Sequence, residues 1–220
     1  MEAFFYVWEL KMNRCVIISA ADIKNYDKIK SYLKEDDFYI VCDAGLNHVE
    51  KLNVKPNLVV GDFDSYKGFL TFSDKDVIVL PTVKDDTDTF YAVKEAIKRG
   101  YKDFLLLGVI GNRFDHSLCN ISDLLYLENR GCRAMILDDY SEMSLITLDK
   151  EFLIDDSYSY FSLMNIKGDV KGVTIKNAKY PLDKIDIKAD YSYGISNEVI
   201  KGKKATVSIE DGTLLLVKVW

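Results

Sequence analysis

Carboxylates gather behind apolar runs in the first half of this chain. GDFDS at residues 61–65 sets Asp62 and Asp64 one residue apart, directly after LVV. Asp43 follows FYIVC, the acids of KDDTD with Asp88 follow VIVLP and a short turn, and Asp115 follows DFLLLGVIGNRF. Acids crowded at one edge repel one another and raise each other's pKa values. A hard divalent cation removes that cost, because Mg²⁺ takes oxygen ligands and shares its coordination sphere with substrate phosphates. The chemistry open to such a cluster is metal-assisted handling of a phosphorylated substrate. Taken singly, Asp43 or Asp88 also fits a helix cap or a first-turn charge, and a lone DxD also fits a turn.

The stretch GVIGNRFDHSLCN adds the complementary half. Gly108 and Gly111 let backbone amides approach an anion, a helix start supplies partial positive charge, and Arg113 can fork onto phosphate oxygens. The stretch is neither GxGxxG nor a P-loop. His116, one of two histidines, reads equally as a hydrogen-bonding residue at the helix start and as a chemical group.

These residues need elements to hold them. Up to about residue 139, the runs CVIISA, FYIVCD, NLVVGD, DVIVLP, DFLLLG and RAMILDD alternate with helical patterns. That alternation predicts a mostly parallel, Rossmann-like sheet flanked by helices, whose ligands gather beyond the carboxyl ends of the strands. TDTFYAVKEAIKRG reads as a helix with Phe90, Val93 and Ile97 on one face. HSLCNISDLLYLENRG reads as another, with Leu118, Ile121 and Leu125. From about residue 143 a two-residue alternation takes over in SLITL, YSYFSLM, GVTIKNA, KIDIKAD and KATVSI, predicting an all-β antiparallel sandwich. Asp211-Gly212 between two strand-like runs predicts a hairpin. The change of period divides the chain into 12–142 and 143–220.

Composition sets the frame. With 220 residues, 48% of them hydrophobic, and a net charge of -6, the chain reads as an ordinary globular protein with no electrostatic footprint for nucleic acid or an anionic membrane. Cys15, Cys42, Cys119 and Cys132 are widely spaced, without a CxxC pair, and read as reduced core thiols of a cytoplasmic protein. The opening MEAFFYVWELK carries Glu2 and Glu9 and lacks the basic lead of a signal peptide; residues 1–11 read as an extension before Met12.

Asp43-Ala44-Gly45-Leu46-Asn47, GDFDS, Asp85-Asp86-Thr87-Asp88, the Gly108 to Asn120 stretch and GISNE at 194–198 stand in one order. That series resembles the thiamin pyrophosphokinases, over roughly residues 14 to 218. The resemblance implies a homodimer that transfers the pyrophosphoryl group of ATP to the hydroxyl of thiamin, releasing AMP. It implies that Asp43, Asp62, Asp64 and Asp88 handle Mg²⁺ and pyrophosphate, with Asp62, Asp64 and Asp88 as metal ligands. It places Gly111, Arg113, Asp115, His116 and Asn120 at the nucleotide, and Ser196 and Asn197 at thiamin, across the dimer interface. The chain departs from the family in two places: Asn112 stands where a second glycine is common, and around the DxTD segment, where the family often has lysines, Lys84 precedes it while Asp86 adds an acid within it.

Attack on the β-phosphorus would be served mainly by positioning and charge stabilisation, with Asp64 or Asp88 open as acceptor of the thiamin hydroxyl proton. Trp220 reads either as a stacking partner for the thiazolium or as packing. Other readings of the acids are a DxDxT phosphatase, which Tyr66 at the threonine position disfavours, a DxD glycosyltransferase, and a non-catalytic sensor of thiamin or nucleotide.

Overall fold

The computed structural model describes residues 13–63, 77–83, 85–148, 151–191 and 193–220. Six apolar runs become the strands β1 (Cys15–Ile18), β2 (Phe38–Cys42), β3 (Leu58–Gly61), β4 (Val77–Val79), β5 (Asp103–Leu107) and β6 (Arg133–Leu137). All pair in parallel, in the order β4-β3-β2-β1-β5-β6. The chain steps outward from β1 to β4 and then returns to the other side of β1. The crevice between the ends of β1 and β5 is therefore a topological switch point, where such sheets bind ligands.

Helix α1 (Tyr26–Lys30) follows β1; a 3₁₀ turn (Asp43–His48) and α2 (Val49–Leu52) follow β2. Helix α3 (Asp88–Lys98) precedes β5, and α4 (Phe114–Glu128) joins β5 to β6. The buried side of α3 is Thr89, Ala92, Val93 and Ala96, with Phe90 edge-on to Tyr126 of α4 at 4.7 Å. On α4 the buried residues are Ser117, Asn120, Asp123, Leu124 and Leu127. The face expected from Leu118, Ile121 and Leu125 is rotated, with Leu118 left exposed, because polar Ser117 and Asn120 turn inward to hold the preceding loop. Cys15, Cys42 and Cys132 are buried free thiols; Cys119, also free, is exposed on α4, which corrects its reading as a core thiol.

The remaining strands are β7 (Ser141–Ile146), β8 (Phe152–Asp155), β9 (Tyr160–Asn165), β10 (Val170–Lys176), β11 (Leu182–Ile187), β12 (Lys204–Ser208) and β13 (Leu214–Val219). Antiparallel β7, β13 and β9 extend the first sheet beyond β6 to nine strands, while β11-β10-β12-β8 form a second sheet. Phe161, Leu163, Leu214 and Leu216 of the first sheet pack with Ile154, Val173, Ile175 and Val207 of the second in a common core. The two sheets thus make the sandwich.

The Asp211-Gly212 turn does not close a hairpin. Strand β12 pairs with β10 and β8, whereas β13 pairs with β7 and β9, so this turn carries the chain from one sheet to the other. Gly212, at φ +101, permits the crossing, since a Cβ there would lie 2.9 Å from Asp169 O.

Candidate active site

A cavity of about 880 Å³ opens at the switch point. Its walls are residues 19–22 after β1, Asp43 after β2, residues 86–89 around the start of α3, residues 108–113 after β5, and residues 138–140 after β6. Two loops form the floor: Ser19 N–H donates to Leu107 O at 2.8 Å and Ala21 N–H to Gly108 O at 2.9 Å. They lie so close that a Cβ on Gly108, at φ +61, would stand 2.4 Å from Ser19 O. A Cβ on Gly111 would stand 2.8 Å from that of Ala21. Asn112 does not adopt positive φ, so the loop keeps its path without a second glycine.

Helix α4 braces this loop from behind. Gly111 N–H donates to Ser117 Oγ at 3.1 Å, and buried Asn120 Nδ2 donates to Val109 O at 2.7 Å. Asn120 and Gly111 thus both belong to the cavity wall, with the Asn120 amide spent on the loop backbone. Arg113 lines the cavity and is gripped by both oxygens of Asp115, Nε to Oδ1 at 3.0 Å and Nη2 to Oδ2 at 2.7 Å. Those hydrogen bonds hold the Asp115 carboxyl well below the usual carboxylate range and raise the Arg113 guanidinium further. His116 lines the same wall.

Of the acids expected to handle metal and pyrophosphate, Asp43 and Asp88 line the cavity, alongside Asp22, Asp86, Asp138 and Asp139. Asp43 opens the 3₁₀ turn at φ 41, a left-handed conformation that costs a non-glycine residue about 1–3 kcal/mol and concentrates at functional sites. Gly61 makes room for it, since a Cβ there would lie 3.1 Å from both Cα and Cβ of Asp43. Asp88 begins α3 beneath the Thr87 cap, whose Oγ1 accepts from Phe90 N–H at 3.1 Å, and the helix N-terminus favours its charge. Next to it Ser19 Oγ and Thr89 Oγ1 share a buried hydrogen bond of 2.7 Å. Burial, and secondly the charge of Asp88, push the Cys42 thiol up, keeping it neutral.

Asp62 directly follows β3, half-buried and outside the cavity lining found among the described residues, while Asp64 lies outside the described residues. Among those residues no group of three or more His, Cys, Asp or Glu side chains is placed to hold a metal ion. Asp43 and Asp88 nevertheless fit Mg²⁺, which is usually bound by one or two carboxylates while water and substrate phosphates complete the octahedron. The additional acid, Asp86, is paired with Lys94 of α3.

Ser196 and Asn197 are not brought to this cavity. Asn197 is 2% exposed, its amide accepting from Tyr180 N–H at 3.0 Å and donating to Tyr180 O at 2.8 Å. Its backbone exchanges hydrogen bonds with Phe161 of β9. Ser196, at φ 54, is exposed, and its N–H donates to Ser162 Oγ at 3.0 Å. Asn197 therefore fixes the turn that presents Ser196.

The chain matches two family models, described as thiamin pyrophosphokinase, catalytic domain, over residues 29–136 and thiamin pyrophosphokinase, vitamin B1 binding domain, over residues 146–214. The chain belongs to the thiamin pyrophosphokinase family. Thiamine pyrophosphokinase of Bacillus subtilis is 25% identical over 199 residues, covering 86% of this chain and 91% of that one. A crystal structure of thiamine pyrophosphokinase from Bacillus subtilis aligns with TM-score 0.80 at 22% identity, covering 94% of this chain and 99% of that chain. The yeast thiamin pyrophosphokinase structure aligns with TM-score 0.72 at 16% identity, over 96% and 87%. This is a family of enzymes, and the α/β part followed by an antiparallel β part is its fold.

Against this thiamin pyrophosphokinase frame, sequence reasoning missed Ser19, Lys24, Ser117, Asp139 and Tyr140, all of which line the cavity. The one signal that would have found them is position. Each lies on a loop, or at a helix start, beyond the carboxyl end of a strand that neighbours the switch point. Trp220 is packed and lies outside the cavity lining. Its ring lies between Tyr32 and Tyr158, with Lys28 Nζ 4.2 Å from the ring centroid. No helix among the described residues is long and apolar enough to cross a membrane.

Proposed function

We propose that this protein transfers the pyrophosphoryl group of ATP to the hydroxyl of thiamin, giving thiamin diphosphate and AMP, with Mg²⁺ as cofactor. One observation carries the reading: Asp43, Asp88, Arg113 and the glycine-bounded loop share one cavity at the switch point of a thiamin pyrophosphokinase fold. The named activity of the Bacillus subtilis relative supports it.

Bound Mg²⁺ would polarise phosphate oxygens and offset the negative charge that develops on them. Asp43 and Asp88 would hold it, joined by Asp62 at the neighbouring strand end and by Asp64. The thiamin oxygen attacks the β-phosphorus as the bond from that phosphorus to the α–β bridging oxygen breaks, so AMP leaves with the bridging oxygen. The hydroxyl proton passes to Asp64 or Asp88. Amides of the 108–113 loop and the Nη1 side of Arg113, opposite the edge gripped by Asp115, bind phosphate oxygens. Asp115 pre-orients that guanidinium, His116 borders the nucleotide, and Asn120 keeps the loop rigid.

Residues 12–142 act as the catalytic part and 143–220 as the part that binds thiamin and dimerises, in the cytoplasm. Ser196 lies away from its own chain's cavity, so a second copy would supply it. An apolar surface suits that contact. Tyr160 and Met164 of β9, with Tyr193 and Ile195 beside them, are exposed, and Met164 pairs with Leu215 on the sheet face that α4 covers further along.

Chromatography of a reaction with ATP, Mg²⁺ and thiamin tests the reading. Thiamin diphosphate and AMP are expected in equal amounts, and neither with EDTA. ADP in place of AMP, or untouched thiamin beside bound nucleotide, would contradict it, the second outcome pointing to a sensor.

A further inference from the structure

Tyr140 is a large aromatic side chain left 66% exposed at the cavity wall, on a backbone that is unusually well fixed. Its N–H donates to Asp138 Oδ1 at 2.7 Å, and its carbonyl accepts from Trp220 N–H at 3.2 Å. Trp220 Nε1–H donates to Asp139 O at 3.0 Å. The Asp139 carboxylate accepts from the backbone of Lys24 at 2.9 and 3.0 Å and of Asn25 at 2.8 Å, tying this turn to the loop after β1. A side chain that served only packing would not be left in solvent by so constrained a backbone.

Strand order gives the turn its place. Asp43 follows β2, the 108–113 loop follows β5, and Tyr140 follows β6, in the spatial order β2-β1-β5-β6. Three strand spacings separate the acid end from the Tyr140 end, about 14 Å. That is close to the reach from the β-phosphate of an extended nucleotide to its base. With the phosphates at the acids and at Arg113, the base arrives at β6.

We infer that Tyr140 is the stacking platform for the nucleobase, with Trp220 as the positioning residue that fixes its backbone. The inference rests on the reading of the cavity as an ATP site and adds the direction in which the nucleotide lies. Stacking on an aromatic side chain is tolerant of base identity and is lost on truncation to alanine. Tyr140 thus confers affinity for nucleotide over bare polyphosphate.

The test compares wild type, Tyr140→Ala and Tyr140→Phe by calorimetric titration with ATP and with inorganic tripolyphosphate, each with Mg²⁺, alongside KM values. Tyr140→Ala is expected to weaken ATP about 10-fold and leave tripolyphosphate unchanged, while Tyr140→Phe keeps the wild-type ATP affinity. KM for thiamin stays constant in both variants. Trp220→Phe, which keeps the ring packing and loses the Nε1–H donor, should show a smaller loss in the same direction. Equal weakening of ATP and tripolyphosphate, or a rise in KM for thiamin alone, overturns the assignment to the base. An unchanged ATP affinity in Tyr140→Ala overturns it while leaving the ATP reading intact. Failure of wild type to bind either ligand overturns both.

Discussion

The cavity at the switch point and the turn around Ser196 are built by opposite means. The cavity is a convergence: strands distant in sequence end side by side, and glycines at 61, 108 and 111 let their loops touch. The Ser196 turn is a local device, added to the edge strand β9 and fixed by the buried amide of Asn197. A parallel sheet assembles charge from several loops within one chain. An edge strand displays residues outward, where a second copy would use them. Ser196 is thus held apart from its own chain's cavity.

Removing charge from the convergent region should have the largest effect. Asp88→Asn should lower kcat about 10³-fold with both substrates still bound and the melting temperature lowered only slightly, by the lost attraction of the charge to the helix start. Turnover near wild type would remove Asp88 from the chemistry. In the displayed region, Asn197→Ala leaves the Tyr180 N–H and carbonyl without their partner, at about 1–3 kcal/mol. It should raise KM for thiamin about 10-fold while KM for ATP stays constant; equal shifts in both would erase the distinction. Gly61→Ala probes how closely the convergence is packed. A Cβ 3.1 Å from Asp43 displaces that acid by a few tenths of an ångström, and kcat should fall a few-fold at constant stability.

The smallest effect concerns stability on the helix between the two regions. Asp123 of α4 is 3% exposed, its Oδ2 has no hydrogen-bond partner among the described residues, and burial raises its pKa to about 7. The folded state then binds more protons than the unfolded state between about pH 4 and 7, so this residue's contribution to stability falls as pH rises through that window. Asp123→Asn should gain a few degrees in Tm over wild type at pH 8 and nothing at pH 4. Parallel melting curves across that range would show the carboxyl to be solvated.

Much of this was legible because period and strand-end chemistry are local. The six parallel strands and the antiparallel half followed from alternation, and Asp43, Asp88, Arg113 and His116 followed from their places after strands. What sequence could not give was set by tertiary contact. Asp211-Gly212 has the composition of a hairpin turn, and only the pairing of β12 and β13 with different sheets makes it a crossover. Ser117 and Asn120 turn inward against their polarity because the loop behind Gly111 needs hydrogen bonds. Tyr140 became visible as a cavity residue only once β6 was known to lie beside β5.

In the proposed function, the acid cavity of one copy and the Ser196 turn of another would form one centre. Complementation tests it directly. Asp88→Asn and a Ser196→Arg variant, each inactive as purified, are unfolded and refolded together, and thiamin diphosphate formation is measured. Random pairing should restore about a quarter of wild-type activity, since half the dimers are mixed and each has one intact site. No recovery, with mixed dimers demonstrated by differential tags, would place both functions in the same chain and contradict the account.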